Sequence, residues 1–251
     1  MDSGKQALQF ATASHDWHFI NHPDKDKDIP LGIVLYKKVW DEDANLVERL
    51  ENCIGDSAHE YFSWKEATVG DIQKMPDYRD CSDFKMRESD LPVCDPDFKE
   101  AGEIYKEVIS GVRQCLNHYT AMYNVKMEYE EATNFVRYKE GEHFAVHSDH
   151  GFSYSATIST IGYLNDDYEG GMYVLPYLDI AFKPEAGDLL IHPSTFIYAH
   201  QSLPVTKGIK YSAVTMYDYN DRTHQNHGVQ QGAYDASKQV DLGGQVRSAS
   251  S

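Results

Sequence analysis

From Lys126 to Asp218 the chain breaks into short runs of β-forming residues, each stopped by a turn signal. The runs are 126–138, 143–147, 155–164, 171–176, 179–183, 188–192, 197–201 and 209–218. Gly-Glu, Asn-Asp-Asp, Gly-Gly, Pro-Glu-Ala-Gly-Asp and Lys-Gly punctuate them. Short strands with turns this frequent predict an all-β barrel or sandwich.

The first half reads differently. Ile33 to Val39 forms one further strand, rich in β-formers. Asp41 or Asp43 is placed to cap a helix running to about His59, with Leu46, Val47, Leu50 and Ile54 on one face. Asp97 opens the clearest helix. Its stripe of Phe98, Ala101, Ile104, Tyr105, Val108, Ile109, Val112, Cys115, Leu116 and Tyr119 steps by three and four, the period of a helix packed on a sheet. Between the helices, 61–96 has no period and carries Trp64, Pro76, Tyr78, Arg79, Arg87 and Pro92. A stretch that long reads as a lid or binding loop, or equally as a plain or disordered connection. Helices first and strands later predict a mainly β fold with helices on its outside. Residues 31–220 form the predicted domain, 1–30 a polar N-terminal segment and 221–251 a flexible tail rich in Gln, Gly, Ser and Asp.

Charge narrows the partners. Forty acidic against 23 basic residues give a formal net charge of −17. Such a balance argues against nucleic acid and against anionic membrane surfaces, and is compatible with a basic protein or peptide substrate or with a plainly solvated acidic surface. The four cysteines contain no C-x-x-C pair, so a structural zinc site is not expected. Their scatter suits reduced thiols in a cytoplasmic setting, with a Cys81–Cys94 bridge left open. No signal peptide is read at the N-terminus, and no run reaches the eighteen apolar residues of a membrane span.

The candidate chemistry centres on His147-Ser148-Asp149, followed fifty-one residues after Asp149 by His200. An H-x-D triplet alone is weak: about one is expected by chance in a chain with this many histidines. Indeed His22-Pro23-Asp24 is a second, in a polar surface-like stretch. His147 and Asp149 share a side if their strand runs on to Asp149. His200, at the end of a strand through Thr195–Ala199, would supply the third ligand. Two imidazoles and one carboxylate are the set that holds non-haem Fe(II) with positions left open. Each residue has a structural alternative, a satisfied strand histidine or an aspartate capping the turn toward Gly151. His143 and His150 compete, and His143 lies on the same face as His147 by parity. Ten residues after His200, Lys210 and Ser212 share a strand face and make a receptor for a carboxylate. Lys210 could otherwise be an edge-strand lysine, and Lys207, in the turn with Gly208, is the rival cation.

These residues resemble a family. Tyr138-Lys-Glu-Gly141-Glu-His-Phe144-Ala-Val-His147-Ser-Asp149 is similar to the Y-x-x-G-x-x-[YF]-x-x-H-x-D signature of Fe(II)/2-oxoglutarate-dependent dioxygenases, nearest to their prolyl 4-hydroxylase-like branch. Tyr163-Leu-Asn-Asp166 with Glu169-Gly-Gly171, Ala186-Gly-Asp188-Leu-Leu190, and Pro204-Val205 through Gly208 to Lys210 and Ser212 resemble its later segments. The likeness covers about 126–218. It implies a double-stranded β-helix, or jelly-roll, barrel, with Fe(II) on His147, Asp149 and His200. It implies 2-oxoglutarate and O2 as cosubstrates, converted to succinate and CO2, with room for ascorbate as an auxiliary. The distal carboxylate of 2-oxoglutarate would meet Lys210, aided by Tyr163 and Ser212, and Tyr138 would line that pocket. Met172 departs from the pattern where Glu often follows the glycine pair. Phe144 departs where Tyr is common, removing a hydroxyl contact. The implied substrate is a prolyl or other residue in a protein or peptide, with a small molecule as the second class. The competing functions are a cupin-like Zn2+ or Mn2+ hydrolase and a ligand-binding barrel without catalysis. Neither needs a carboxylate receptor together with an intact triad.

Overall fold

A computed structural model of the protein describes residues 14–21, 31–59, 62–69, 73–93, 98–151, 154–220 and 224. Most of the polar segment 1–30, including His22-Pro23-Asp24, lies outside the described residues. So do Cys94 and, His224 apart, the tail 221–251.

The strands are β1 (Trp17–Phe19), β2 (Val34–Tyr36), β3 (Lys65–Glu66), β4 (Arg79–Asp80), β5 (Ser82–Met86), β6 (Tyr129–Glu130), β7 (Thr133–Tyr138) and β8 (His143–His147). They continue with β9 (Ile158–Tyr163), β10 (Glu169–Gly170), β11 (Tyr173–Leu175), β12 (Ile180–Phe182), β13 (Leu189–Pro193), β14 (His200–Ser202), β15 (Val205–Lys207) and β16 (Lys210–Asp218). Two helices, α1 (Leu46–Ile54) and α2 (Lys99–Tyr123), precede most of them. Among the described residues the larger sheet has the order β1-β2-β13-β9-β16-β7-β5-β3, and the smaller has β12-β11-β14-β8-β4. Every pairing between the named strands is antiparallel. The two sheets form the sandwich of the expected jelly roll.

Strand alternation sorts side chains into two cores. On the larger sheet's outer face, Leu189, Ile191, Phe135, Ala213 and Tyr217 pack with Ile104, Val108, Val112 and Leu116 of α2. The neighbouring positions Leu190, Ile161 and Tyr163 point between the sheets, where they meet Tyr173, Leu175 and Ile180 of the smaller one. Val136, Tyr138, Tyr168 and Val205 fill the other end of that interior. Each fully buried Leu or Ile contributes about 1.5–3 kcal/mol relative to exposure, so the face of α2 that was legible as a stripe is what fixes the helix to the sheet.

Trp40 locks the helix layer to the sheet. It is wedged between Gly111 of α2 and Gly162 of β9: a Cβ at Gly111 would stand 2.8 Å from its Nε1, and one at Gly162 2.7 Å from its ring. Gly187, at φ +82°, passes so close that a Cβ there would sit 2.4 Å from the Trp40 carbonyl oxygen. Only glycine serves there, because both the left-handed backbone and the close approach exclude a side chain.

Three local expectations need correction. The first helix is shorter than 41–59: residues Glu42–Ala44 form a 3-10 turn, and Asn45, in left-handed conformation, starts α1. Among its described residues, the stretch 61–96 is not wholly without regular structure. It contributes β4 to the smaller sheet, against β8, and β5 to the larger, against β7, with Cys81 alone between them. Thr195–Ala199 is not a strand, since Phe196–Tyr198 make a 3-10 turn closed by Tyr198 N–H donating to Thr195 O at 2.8 Å. His200 therefore begins β14 rather than ending a strand before it.

Candidate active site

His147 and His200 are register partners on β8 and β14. Strand β8 stops at His147, so Asp149 does not reach the site along a strand. The turn after His147, in which Ser148 Oγ donates to His150 O at 2.9 Å, carries it there instead. His147 Nε2 lies 3.6 Å from Asp149 Oδ1, and His200 Nε2 lies 3.9 Å from Asp149 Oδ2. One donor atom from each of the three residues falls within 4.8 Å of the other two, and all three side chains are buried.

The protonation of the rings follows from their second nitrogens. His147 Nδ1 is 2.9 Å from Ala145 O, and His200 Nδ1 is 3.1 Å from Tyr198 O. A carbonyl oxygen only accepts, so each Nδ1 carries the hydrogen and each Nε2 keeps its lone pair toward Asp149. Burial pushes both imidazoles below the usual histidine range, His200 to about 4, which keeps them neutral. Burial works against the Asp149 carboxylate. The His200 and His147 rings beside it and the Ser159 hydroxyl outweigh that and hold its pKa below the usual value. Ser159 Oγ donates to Asp149 Oδ2 at 2.5 Å and stands 2.7 Å from Ser194 Oγ. Neutral imidazoles and an ionised carboxylate, each braced from behind, fit a divalent metal of the first transition row.

Aromatic rings confine both imidazoles. Phe144 stacks on His147, and Tyr173 stacks on His200 with centroids 5.0 Å apart. Tyr173 is held in turn by its hydroxyl, 2.6 Å from Nε2 of the fully buried His192.

In the same interior lies Lys210, 2% exposed. Its ammonium donates to Gly171 O at 2.8 Å and Ser202 Oγ at 2.9 Å, and among the described residues it pairs with no carboxylate. Burial, with a smaller push from Lys183, lowers it to about 7. The rings of Tyr138 and Tyr163 stand 5.4 and 5.5 Å from the ammonium. Tyr138 is the register partner of Lys210, and Tyr163 that of Ser212. Burial holds both phenols well above the ordinary tyrosine range. Among the described residues the Tyr163 hydroxyl has no partner. A buried cation without a counter-ion, beside an unpaired phenol, is a site prepared for an anion.

The rival residues separate cleanly. Lys207 is exposed and paired with Glu169 at 2.9 Å. His143 turns to Asp77 O, and His150, exposed, turns to Ala156 O. Neither joins the metal-capable cluster. A cleft of about 610 Å3 between α1 and residues 164–167 is lined by Tyr163 but by no member of the triad. Sequence reading passed over Ser159, Tyr168, Tyr173, His192 and Ser202. Parity could have found Ser159, which faces inward with Tyr163 on β9.

Comparison with known proteins agrees with this geometry. Residues 133–218 match the family described as the 2OG-Fe(II) oxygenase superfamily. The segment resembles procollagen-lysine,2-oxoglutarate 5-dioxygenase 1 of Mus musculus, with 34% identity over 84 residues, 33% of this chain and 12% of that protein. The protein of the same name from Gallus gallus is 30% identical over 132 residues, 51% of this chain and 18% of that protein. The chain thus matches less than a fifth of the length of either. Among solved structures, a Trichoplax adhaerens prolyl hydroxylase in complex with a hypoxia inducible factor oxygen degradation domain peptide superposes with TM-score 0.59 at 12% identity, covering 75% of this chain and 84% of that one. A Pseudomonas putida prolyl-4-hydroxylase gives 0.54 at 13% identity, over 82% and 94%. The viral collagen prolyl hydroxylase of Paramecium Bursaria Chlorella virus-1, in its 2OG complex, gives 0.53 at 17%, over 74% and 94%. These likenesses establish the jelly-roll fold.

Proposed function

We propose that this chain, a member of the 2OG-Fe(II) oxygenase superfamily through its residues 133–218, hydroxylates a C–H bond in a protein or peptide, a prolyl residue being the first candidate. The observation that carries the reading is the pairing, inside one barrel, of a buried His-Asp-His cluster with a buried lysine that meets no carboxylate among the described residues. A metal-dependent hydrolase has no need of the lysine, and a binding barrel has no need of the intact triad.

His147, Asp149 and His200 would hold the metal, and Lys210, Tyr138, Tyr163 and Ser212 would receive the distal carboxylate of 2-oxoglutarate. Bound Fe(II) would supply the redox chemistry by which 2-oxoglutarate, O2 and R–H become succinate, CO2 and R–OH. The rest falls to the chain. The Ala145 and Tyr198 carbonyls set the tautomer of each imidazole, Ser159 orients the carboxylate, and the apolar walls keep water from the reacting centre. No general base is assigned. Ascorbate as an auxiliary reductant belongs to the same reading.

The peptide substrate rests on the solved relatives, one of which is in complex with a peptide fragment. The acidic balance of the chain favours a basic stretch near the target. No described helix is long and apolar enough to cross a membrane. The free thiols of Cys53, Cys81 and Cys115 support a cytoplasmic setting. The test is an oxygen-dependent succinate assay with Fe(II) and 2-oxoglutarate across peptide pools that include proline-rich ones. Turnover should appear with one pool and vanish in His147→Ala and His200→Ala. Unchanged succinate formation in either variant would end the assignment.

A further inference from the structure

Tyr168 lies in the barrel interior with Tyr138 and Val205 and has no role in the account above. Its ring borders the lysine: the Lys210 ammonium lies 6.0 Å from its centroid. A Cβ at Gly171 would fall 3.0 Å from Tyr168 Cε2 and 3.3 Å from Lys210 Cδ, so the hydroxyl-bearing end of the ring and the lysine stem flank the same glycine. Tyr168 is 3% exposed. Its hydroxyl, like that of Tyr163, is buried with no hydrogen-bond partner among the described residues. Burying one unpaired hydroxyl is costly, and finding two around one unpaired ammonium points to a missing acceptor.

Counting donors identifies the acceptor. Lys210 has three N–H groups, of which two go to Gly171 O and Ser202 Oγ. One remains. Tyr163 and Tyr168 add one O–H each, which makes three donors without an acceptor among the described residues. A carboxylate offers about four lone-pair sites and donates nothing. We propose that Tyr168 is a binding residue for the distal carboxylate of the 2-oxo acid, its hydroxyl donating to the oxygen that Lys210 and Tyr163 leave unfilled. The inference rests on the reading that 2-oxoglutarate occupies this interior.

The test is a binding measurement that needs no turnover. The full chain is loaded with Zn(II) and titrated calorimetrically with 2-oxoglutarate, and separately with pyruvate, which keeps the 2-oxo acid group and lacks the distal carboxylate. Tyr168→Phe removes one oxygen. It should weaken 2-oxoglutarate binding by about ten-fold, the scale of a hydrogen bond to a charged group, while Zn(II) and pyruvate binding stay as in the parent. Equal weakening of pyruvate would show a merely structural role, and undiminished 2-oxoglutarate affinity would remove Tyr168 from the site. Lys210→Met separates the two levels. If it weakens 2-oxoglutarate binding and Tyr168→Phe does not, only this inference fails. If neither weakens it, the proposed location of the cosubstrate fails as well.

Discussion

Phe144 lies face to face with His147, ring centroids 3.6 Å apart and planes 12° from parallel. At sequence level Phe144 looked like a lost hydroxyl. In the fold its ring is a wall that keeps the imidazole from rotating off the metal position. Phe144→Ala should therefore weaken metal binding about ten-fold, the lower end for a residue that braces a ligand, while Phe144→Tyr should keep parental affinity. Titration with Co(II), followed by its visible bands, measures both; equal affinity in Phe144→Ala would show that the backbone alone orients the ring.

Ser159 braces the third ligand, donating to Asp149 Oδ2 at 2.5 Å. Ser159→Ala should lower metal affinity by roughly 10- to 100-fold. A loss confined to thermal stability, with metal binding untouched, would make the serine structural.

Lys210 and Lys207 are three residues apart in sequence and opposite in environment. Lys210→Ala should raise the apparent requirement for 2-oxoglutarate by at least ~30-fold, the scale of a buried charged partner. Lys207→Ala removes only an exposed pair with Glu169 and should change little. An unaltered requirement in Lys210→Ala would direct the carboxylate elsewhere.

The same lysine predicts a pH dependence. Burial lowers Lys210 to about 7 in the unliganded protein, so the ammonium is present below that pH and is lost above it. A carboxylate binds the charged form and raises its pKa, so binding takes up a proton once the pH exceeds about 7. Affinity for 2-oxoglutarate should be flat below that point and fall toward ten-fold per pH unit above it, approximately one proton per ligand. Calorimetry in buffers of different ionisation enthalpy counts the proton directly; no uptake at pH ~8 would mean that the lysine is charged throughout.

Stability should be concentrated at Trp40. Gly162→Ala would place a methyl group 2.7 Å from its ring and should cost about 1–3 kcal/mol by overpacking. Trp40→Ala should cost about 3–5 kcal/mol through the cavity it leaves. Thermal melts of the metal-free chain would read both, and an unchanged melting temperature in Gly162→Ala would mean that Trp40 can shift without loss.

What was legible followed from period. The stripe of α2 spans about six turns, and β8 runs over His143–His147 as the alternation predicts. His147 and His200 could be picked out because their neighbours pointed to strand ends. Asp149 was found for a partly wrong reason, since a turn delivers it rather than strand parity. Strands β3 and β4, two residues each, were invisible because so short a segment has no period and is defined only by its distant partner. Thr195–Ala199 misled because its β-forming residues are overridden by a turn. Tyr168, Tyr173 and His192 come together from strands and loops with no fixed spacing, so no local pattern could announce them.

The crossing at Cys81 has a mechanical consequence. With one residue between β4 in one sheet and β5 in the other, the sandwich is hemmed along that flank by the chain itself. Separating the sheets along that flank would pull on the backbone at Cys81 itself, which is packed beside Tyr138.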